Sequence, residues 1–405
     1  MNNSTVLHSG RRAPLLVSMG ISWLFDAMDV GIISFIVATL TVQWHLTPEQ
    51  VGVFTSINSV GMVFGAAMAG YMADRFGRKT ILLWTLLLFS VASGLSAFAA
   101  SFTMLCILRF VAGVGLGGEL PVASTLVSET VPAAERGRTV VLLESFWAGG
   151  WLAAALISYF VIPRFGWQAG FLIGAIPALY ALYLRRSIEE PQRFVRNQAG
   201  RKPKLREQWA AVWQKQYLRS TVMLWILWFT VVFSYYGMFL WLPTVMVMKG
   251  FGLVKGFQYV LIMTLAQLPG YFTAAYAIEK FGRKFVLVLY LILTALSALW
   301  FGSAQTEASL IAAGICLSFF NLGAWGGLYA YTPELYPTRV RSTGVGMATS
   351  FGRIGGVIAP FLVGVLVTRG VELQTIFYLF FAAILIGALA VFFLGKETKG
   401  IELEN

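Results

Sequence analysis

Apolar windows of about 20 residues recur along the whole chain, each long enough to cross a hydrocarbon core about 30 Å thick, and short polar intervals part them. The pattern predicts an all-α membrane protein with twelve transmembrane helices, over 15–41, 50–73, 80–99, 102–129, 138–162, 167–185, 219–246, 256–278, 285–304, 307–333, 342–368 and 373–394. The longest polar interval, Ser187 to Leu218, is rich in Arg, Lys, Gln and Glu and divides six spans from six. The expected organisation is an N-terminal six-helix half over 1–186, a cytoplasmic linker over 187–218 and a C-terminal six-helix half over 219–405. In the linker Trp209 and Trp213 stand at i and i+4, the spacing of a short helix lying on the membrane surface.

Charge orients these spans. The chain is 58% hydrophobic and only 12% charged, where a soluble domain carries about 25% charged residues. Of its 30 Lys and Arg, 24 fall in segments assigned to one side: Arg11 and Arg12, Arg75 to Lys79, Arg136 and Arg138, Arg185 to Arg219, Lys280 to Lys284, Arg339 and Arg341, Lys396 and Lys399. Four fall on the other side (Arg164, Lys249, Lys255, Arg369), and Arg109 and Arg353 lie within spans. This is the positive-inside asymmetry, which puts both termini in the cytoplasm of a cell-membrane protein. It also accounts for the net charge of +12 without a nucleic-acid partner. No short apolar core followed by a small-residue cleavage site opens the chain, so no removed signal peptide is expected. Cys106 and Cys316 sit in apolar spans and read as buried small hydrophobes. His8 and His45 are the only histidines, so neither a metal site nor a cofactor is expected.

The two halves repeat. FGRK occurs at 76–79 and again at 281–284, an offset of 205, and the same offset carries Asp74 onto Glu279, Glu129 onto Glu334, Pro132 onto Pro337 and Arg136 onto Arg341. A constant offset over about sixty residues implies two homologous halves, with a binding site at their interface near the midplane. GYMADRFGRKT at 70–80, LRFVAGVGLGGELP at 108–121, SETVPAAERGR at 128–138 and PELYPTRVRSTG at 333–344 resemble the motifs of the major facilitator superfamily, in its metabolite- and sugar-carrying branches. The resemblance covers nearly the whole chain. It implies that the loop charges Asp74, Arg75, Arg78, Glu129, Arg136, Arg138, Glu279, Arg283, Glu334 and Arg341 form networks that latch the halves in one state and break in another.

The first span holds FDAMDVG, with Asp26 and Asp29 at i and i+3 on one helix face. They lie about 16–21 Å along the axis from residue 15, where an unpaired carboxylate must be protonated or find a cation. Arg109 begins a face of the fourth span shared with Gly113 and Gly117, whose small size permits close helix approach. An Asp–Arg pair between these spans is the cheapest arrangement. It reads either as a structural ion pair or as a proton-coupling site, since burial raises a carboxylate pKa while an arginine lowers it. FDAMD resembles the paired-Asp motif of aromatic-acid/proton symporters, departing from it at Ala27 and Met28, and the pair also resembles that of proton-coupled sugar porters. Glu119 is a candidate for the central cavity. Glu144 is expected near the membrane interface or paired with a cytoplasmic arginine.

Substrate chemistry is expected in the second half. Tyr235 and Tyr236 fall near the middle of the seventh span; Asn321, Trp325 and Tyr329 are spaced by four on the tenth, and therefore share a face. Arg353 stands alone in an apolar, glycine-spaced run, a functional candidate by default at that depth. Its offset counterpart, position 148, is alanine. SYYG and the run from Tyr331 to Gly355 resemble organic-ion carriers, and the resemblance implies an anion-type substrate at Arg353, whose planar fork suits a carboxylate. The whole chain is most similar to bacterial niacin permeases. The expected activity is proton-coupled import of a small aromatic monocarboxylate, nicotinate foremost, by a monomer in the lipid bilayer. Arg353 would take the carboxylate, Tyr235, Tyr236 and Trp325 the ring, and Asn321 or another polar group the ring nitrogen. A sugar symporter is the rival, for which the seventh and eighth spans offer mainly Gln267; another organic-ion symporter, or a non-transporting receptor on a transporter scaffold, are further alternatives. No Walker loop, metal-ligand cluster or G-x-S-x-G elbow suggests an enzyme.

Overall fold

A computed structural model describes residues 9–76, 78–130, 136–180 and 210–399, and no strand occurs among them. The helices are α1 (Ser9–Gln43), α2 (Pro48–Phe76), α3 (Arg78–Ser96), α4 (Phe102–Thr130), α5 (Arg136–Phe160), α6 (Ile162–Phe165), α7 (Trp167–Ile173), α8 (Lys215–Phe239), α9 (Leu242–Met248), α10 (Leu253–Leu265), α11 (Gln267–Phe281), α12 (Arg283–Ser303), α13 (Glu307–Glu334), α14 (Thr338–Thr368) and α15 (Leu373–Leu394). Eight helical stretches among the described residues are long and apolar enough to cross a membrane, from Val17–Gln43 to Leu373–Leu394.

Local chemistry sets several boundaries. Thr47 and Gln50 form a reciprocal capping box ahead of α2: Thr47 N donates to Gln50 Oε1 at 2.9 Å and Gln50 N to Thr47 Oγ1 at 3.2 Å. Thr306 caps α13 by accepting from Ser309 N. The seventh and eighth spans, expected to be continuous, are broken. α8 ends at Phe239 and α10 at Leu265, each four residues before a proline, Pro243 or Pro269. A proline cannot donate to the carbonyl four residues back, and its ring crowds that carbonyl. α8 also starts at Lys215, inside the stretch read as linker.

The chain divides into two compact units, 1–44 with 54–201 and 45–53 with 202–405. In the first, α1 packs chiefly on α5 and α3 on α4; in the second, α8 packs on α14 and α12 on α13. The first–fifth and third–fourth span pairings thus recur as seventh–eleventh and ninth–tenth, so the sequence repeat extends to helix pairing. Gly113 and Gly117 do permit a close crossing, and the partner is α2: a Cβ at either would collide with the carbonyl of Asn58 or Met62. Cys106 and Cys316 are half-buried, contrary to the buried packing expected of them.

Candidate functional site

In the first unit the deepest charges come together. Asp29 and Arg109 are fully buried, and Arg109 Nη1 donates to Asp29 Oδ2 at 3.0 Å. Ser93 Oγ on α3 donates to the other carboxylate oxygen at 2.6 Å. The guanidinium carbon lies 4.6 Å from the centroid of Phe171 on α7, a cation–π contact. Four elements therefore hold one ion pair. Asp26 is buried one turn earlier on α1. Glu144, expected near the interface, is buried as well, 2% exposed, on the part of α5 where Trp147 meets Trp23 edge-on at 6.2 Å. The side chains of Asp74, Arg75, Arg78, Glu119, Glu129, Arg136 and Arg138 lie outside the described residues.

The second unit gathers the expected aromatic residues. Tyr235 lies 4.8 Å from Trp325 and 5.4 Å from Tyr236, and Trp325 lies 5.9 Å from Tyr329, between ring centroids. Trp228 is a further member that the sequence reading missed. It packs 4.9 Å from Tyr329 and 6.3 Å from Trp325, and its Nε1 donates to Thr332 Oγ1 at 3.0 Å. The signal was present, since Trp228 precedes Tyr235 by seven residues, two helical turns. Asn321 and Gln267 are buried beside these rings' helices, on α13 and at the start of α11.

Arg353 emerges from α14 next to this cluster. A Cβ at Gly352 would lie 3.0 Å from the Trp228 carbonyl, and one at Gly356 would lie 3.5 Å from the Tyr236 ring. α14 therefore lies directly on α8 at both levels, which sets the Arg353 backbone at a height between Trp228 and Tyr236. Arg353 is half-buried, and no hydrogen bond or ion pair among the described residues holds its guanidinium. A charge costs about 2.5–3.5 kcal/mol at the centre of a membrane helix.

At the other end of the unit the repeated charges form a network. Arg283 bridges Glu279 at 3.0 Å and Glu334 at 3.4 Å and donates to the Ile278 carbonyl. Arg341 Nε donates to the carbonyls of Pro333 and Tyr336, stapling α13 to α14. The sequence reading missed the part played by the C-terminal segment. Glu397 accepts from the backbone N–H groups of Arg283 and Lys284, the first turn of α12, while Thr398 Oγ1 bonds Glu334 and Tyr331 donates to the Lys396 carbonyl at 2.6 Å. Gly282 makes this possible, with φ +98° and Glu397 where a Cβ would stand. Burial pushes the Glu397 carboxyl up, but the N–H groups of Lys399, Arg283, Thr398 and Lys284 outweigh it and hold it below the ordinary carboxylate range. Burial raises the Tyr336 phenol against the hydrogen bond it shares with Thr221, and it lowers the Lys249 ammonium.

Comparison with known proteins gives these sites a context. The sequence profile described as Major Facilitator Superfamily matches residues 19–270 and 256–404. The chain is 59% identical to a Bacillus subtilis protein assigned by name to niacin/nicotinamide transport, NiaP, over 96% of this chain and 97% of that one. It is 45% identical to the niacin transporter NiaP of Acinetobacter baylyi, over 96% and 95%. The fold is similar to that of the xylose transporter XylE of E. coli in a partially occluded inward-open conformation, with a TM-score of 0.79, 17% identity, and coverage of 98% of this chain and 100% of that one.

Proposed function

Because the chain belongs to the major facilitator superfamily and is a multi-pass membrane transporter, we propose that it imports nicotinate across the cell membrane, coupled to protons and acting as a monomer with both termini in the cytoplasm. The observation that carries this reading is the full-length similarity to proteins named as niacin transporters. The residues give it a mechanism. Arg353 binds the carboxylate through its two-pronged fork, and Tyr235, Tyr236, Trp325 and Tyr329, with Trp228 behind them, enclose the ring. Asn321 and Gln267 supply polar contacts. Asp29, held by Arg109 and Ser93, with Asp26 close by on α1, carries the proton; protonation of Asp29 cancels its attraction for Arg109 and frees the four elements that the pair joins. Glu119 is a further candidate for proton coupling. The loop charges Asp74, Arg75, Arg78, Glu129, Arg136 and Arg138 do for the first half what the Glu279–Arg283–Glu334 network does for the second, together with Arg341.

A second reading is favoured by one of the relatives, whose name includes nicotinamide: the substrate would be the neutral amide. Purified protein in liposomes separates the two. With the external solution acidic, labelled nicotinate should accumulate above its external concentration, and collapsing the pH gradient with a protonophore should remove the accumulation. Nicotinamide should enter no faster than into empty liposomes. Accumulation of nicotinamide in place of nicotinate would establish the second reading, and nicotinate uptake indifferent to the gradient would remove proton coupling.

A further inference from the structure

Besides Thr244, four polar side chains in the second unit are at least nine-tenths buried and carry atoms without a hydrogen-bond partner among the described residues. They are Gln267 (Oε1 and Nε2), Ser318 (Oγ), Asn321 (Oδ1) and Trp325 (Nε1), with exposures of 0%, 1%, 2% and 5%. Ser318, Asn321 and Trp325 follow one another at i, i+3 and i+7, so they line a single face of α13. Gln267 opens α11, immediately after the break at Ala266. It stands one turn before Gly270, whose own Cβ position is closed by the Phe319 carbonyl of α13. Such groups are costly to bury unsatisfied, about 1–3 kcal/mol each, and native interiors rarely keep several together.

The chemistry of the orphaned atoms narrows what satisfies them. An indole N–H is a donor only, and an amide NH₂ donates as well, so Trp325 Nε1 and Gln267 Nε2 both call for an acceptor. The Ser318 hydroxyl rotates to serve either role. Trp325 is also the ring that meets Tyr235 at 4.8 Å and Tyr329 at 5.9 Å. The N–H that lacks an acceptor therefore belongs to the aromatic cluster itself. A flat ligand stacked on the neighbouring tyrosine rings would lie edge-on to Trp325, with a ring acceptor towards that in-plane N–H.

We infer that Trp325, Gln267 and Ser318 form a subsite for a hydrogen-bond acceptor in the substrate's ring, so that the transporter selects pyridine-type carboxylates over benzene-type ones. This rests on the reading that an aromatic carboxylate is the substrate. Arg353 supplies attraction for the carboxylate, common to all such acids; the buried donors supply the discrimination. A benzene ring in the same position strips these donors of water and returns nothing, the situation in which a polar site rejects an apolar isostere.

The test is equilibrium binding of nicotinate and benzoate to the purified full-length protein and to Trp325→Phe, Gln267→Leu and Ser318→Ala. Trp325→Phe keeps an aromatic ring and removes the N–H. The wild type should prefer nicotinate by about 10- to 100-fold. Trp325→Phe and Gln267→Leu should each bring the ratio to within a few-fold of one by weakening nicotinate binding more than benzoate binding, and a helical circular-dichroism spectrum and melting temperature equal to the wild type's certify the fold. Ser318→Ala should narrow the ratio to a smaller extent. Equal wild-type affinity for the two acids, or parallel loss of both in the variants, overturns the subsite. Binding of neither acid by the wild type overturns the substrate reading, and the subsite falls with it.

Discussion

Asp29 and Arg353 are both charges inside apolar helices, and their surroundings differ in kind. Asp29 is enclosed with a cation and a hydroxyl, each at hydrogen-bonding distance, whereas Arg353 is half-buried with no partner among the described residues. A closed pair is suited to a switch and an unpaired fork to a ligand. Removing one member of a buried pair leaves the other uncompensated, at a cost of about 3–5 kcal/mol. Asp29→Asn limits this cost by keeping the shape and a hydrogen-bonding side chain. In liposomes loaded with unlabelled nicotinate, this variant should still exchange it for labelled nicotinate, while losing accumulation driven by a pH gradient. Gradient-driven accumulation that survives the substitution would sink the assignment of the proton to Asp29. Asp29 with Arg109 was legible in the sequence because few charges lay in the spans and cost forced them together. The burial of Glu144 was not legible: its position near a span end suits either an interfacial or an interior acid, and only the packing of α5 against α1 distinguishes them.

At the scale of elements, two features depend on residues far apart in the chain. The breaks after α8 and α10 each lie four residues before a proline, yet Pro333 and Pro360 sit inside unbroken helices. Proline alone therefore did not disclose which spans are interrupted. The break at Ala266 matters to the site, because it starts a new helix with Gln267 in its first turn. The brace by Glu397 was likewise hidden, since an acid three residues past a span reads as surface charge. Its depressed carboxyl pKa makes it a titratable clamp on α12. A group whose folded pKa is lowered contributes stability that is present above its unfolded value, near 4.3, and is lost as the pH falls through the folded value. Glu397→Gln should therefore lower the melting temperature at neutral pH, and the gap to the wild type should close as the pH falls below about 4. A gap independent of pH across that range would show that the carboxylate charge plays no part in the brace.

At the scale of the whole molecule, the spans and their twofold repetition were legible because each is written in periodicity or in a constant offset of 205 residues, and the major facilitator superfamily was legible because motifs such as GYMADRFGRKT at 70–80 resemble its own. The same offset sorted the charges: Glu279, Arg283, Glu334 and Arg341 recur from the first half and build the network at one end of the second unit, while Arg353 does not recur. The aromatic cluster of the second unit was legible in part. Tyr235, Tyr236, Trp325 and Tyr329 do assemble, but the contribution of Trp228 depends on how α8 meets α13. The orphaned donors were invisible to the sequence, because whether a buried amide is satisfied depends on every neighbour around it. The role proposed for Arg353 is recognition of a carboxylate on an aromatic ring. Binding of nicotinate and nicotinamide to the purified wild type and to Arg353→Ala tests it most directly, since the amide removes the ligand's charge and the substitution removes the protein's. The wild type should favour nicotinate, and Arg353→Ala should weaken nicotinate about 100-fold or more, equivalent to about 3 kcal/mol, so that the preference over the amide disappears. A correctly folded Arg353→Ala protein that binds nicotinate as tightly as the wild type would contradict the claim.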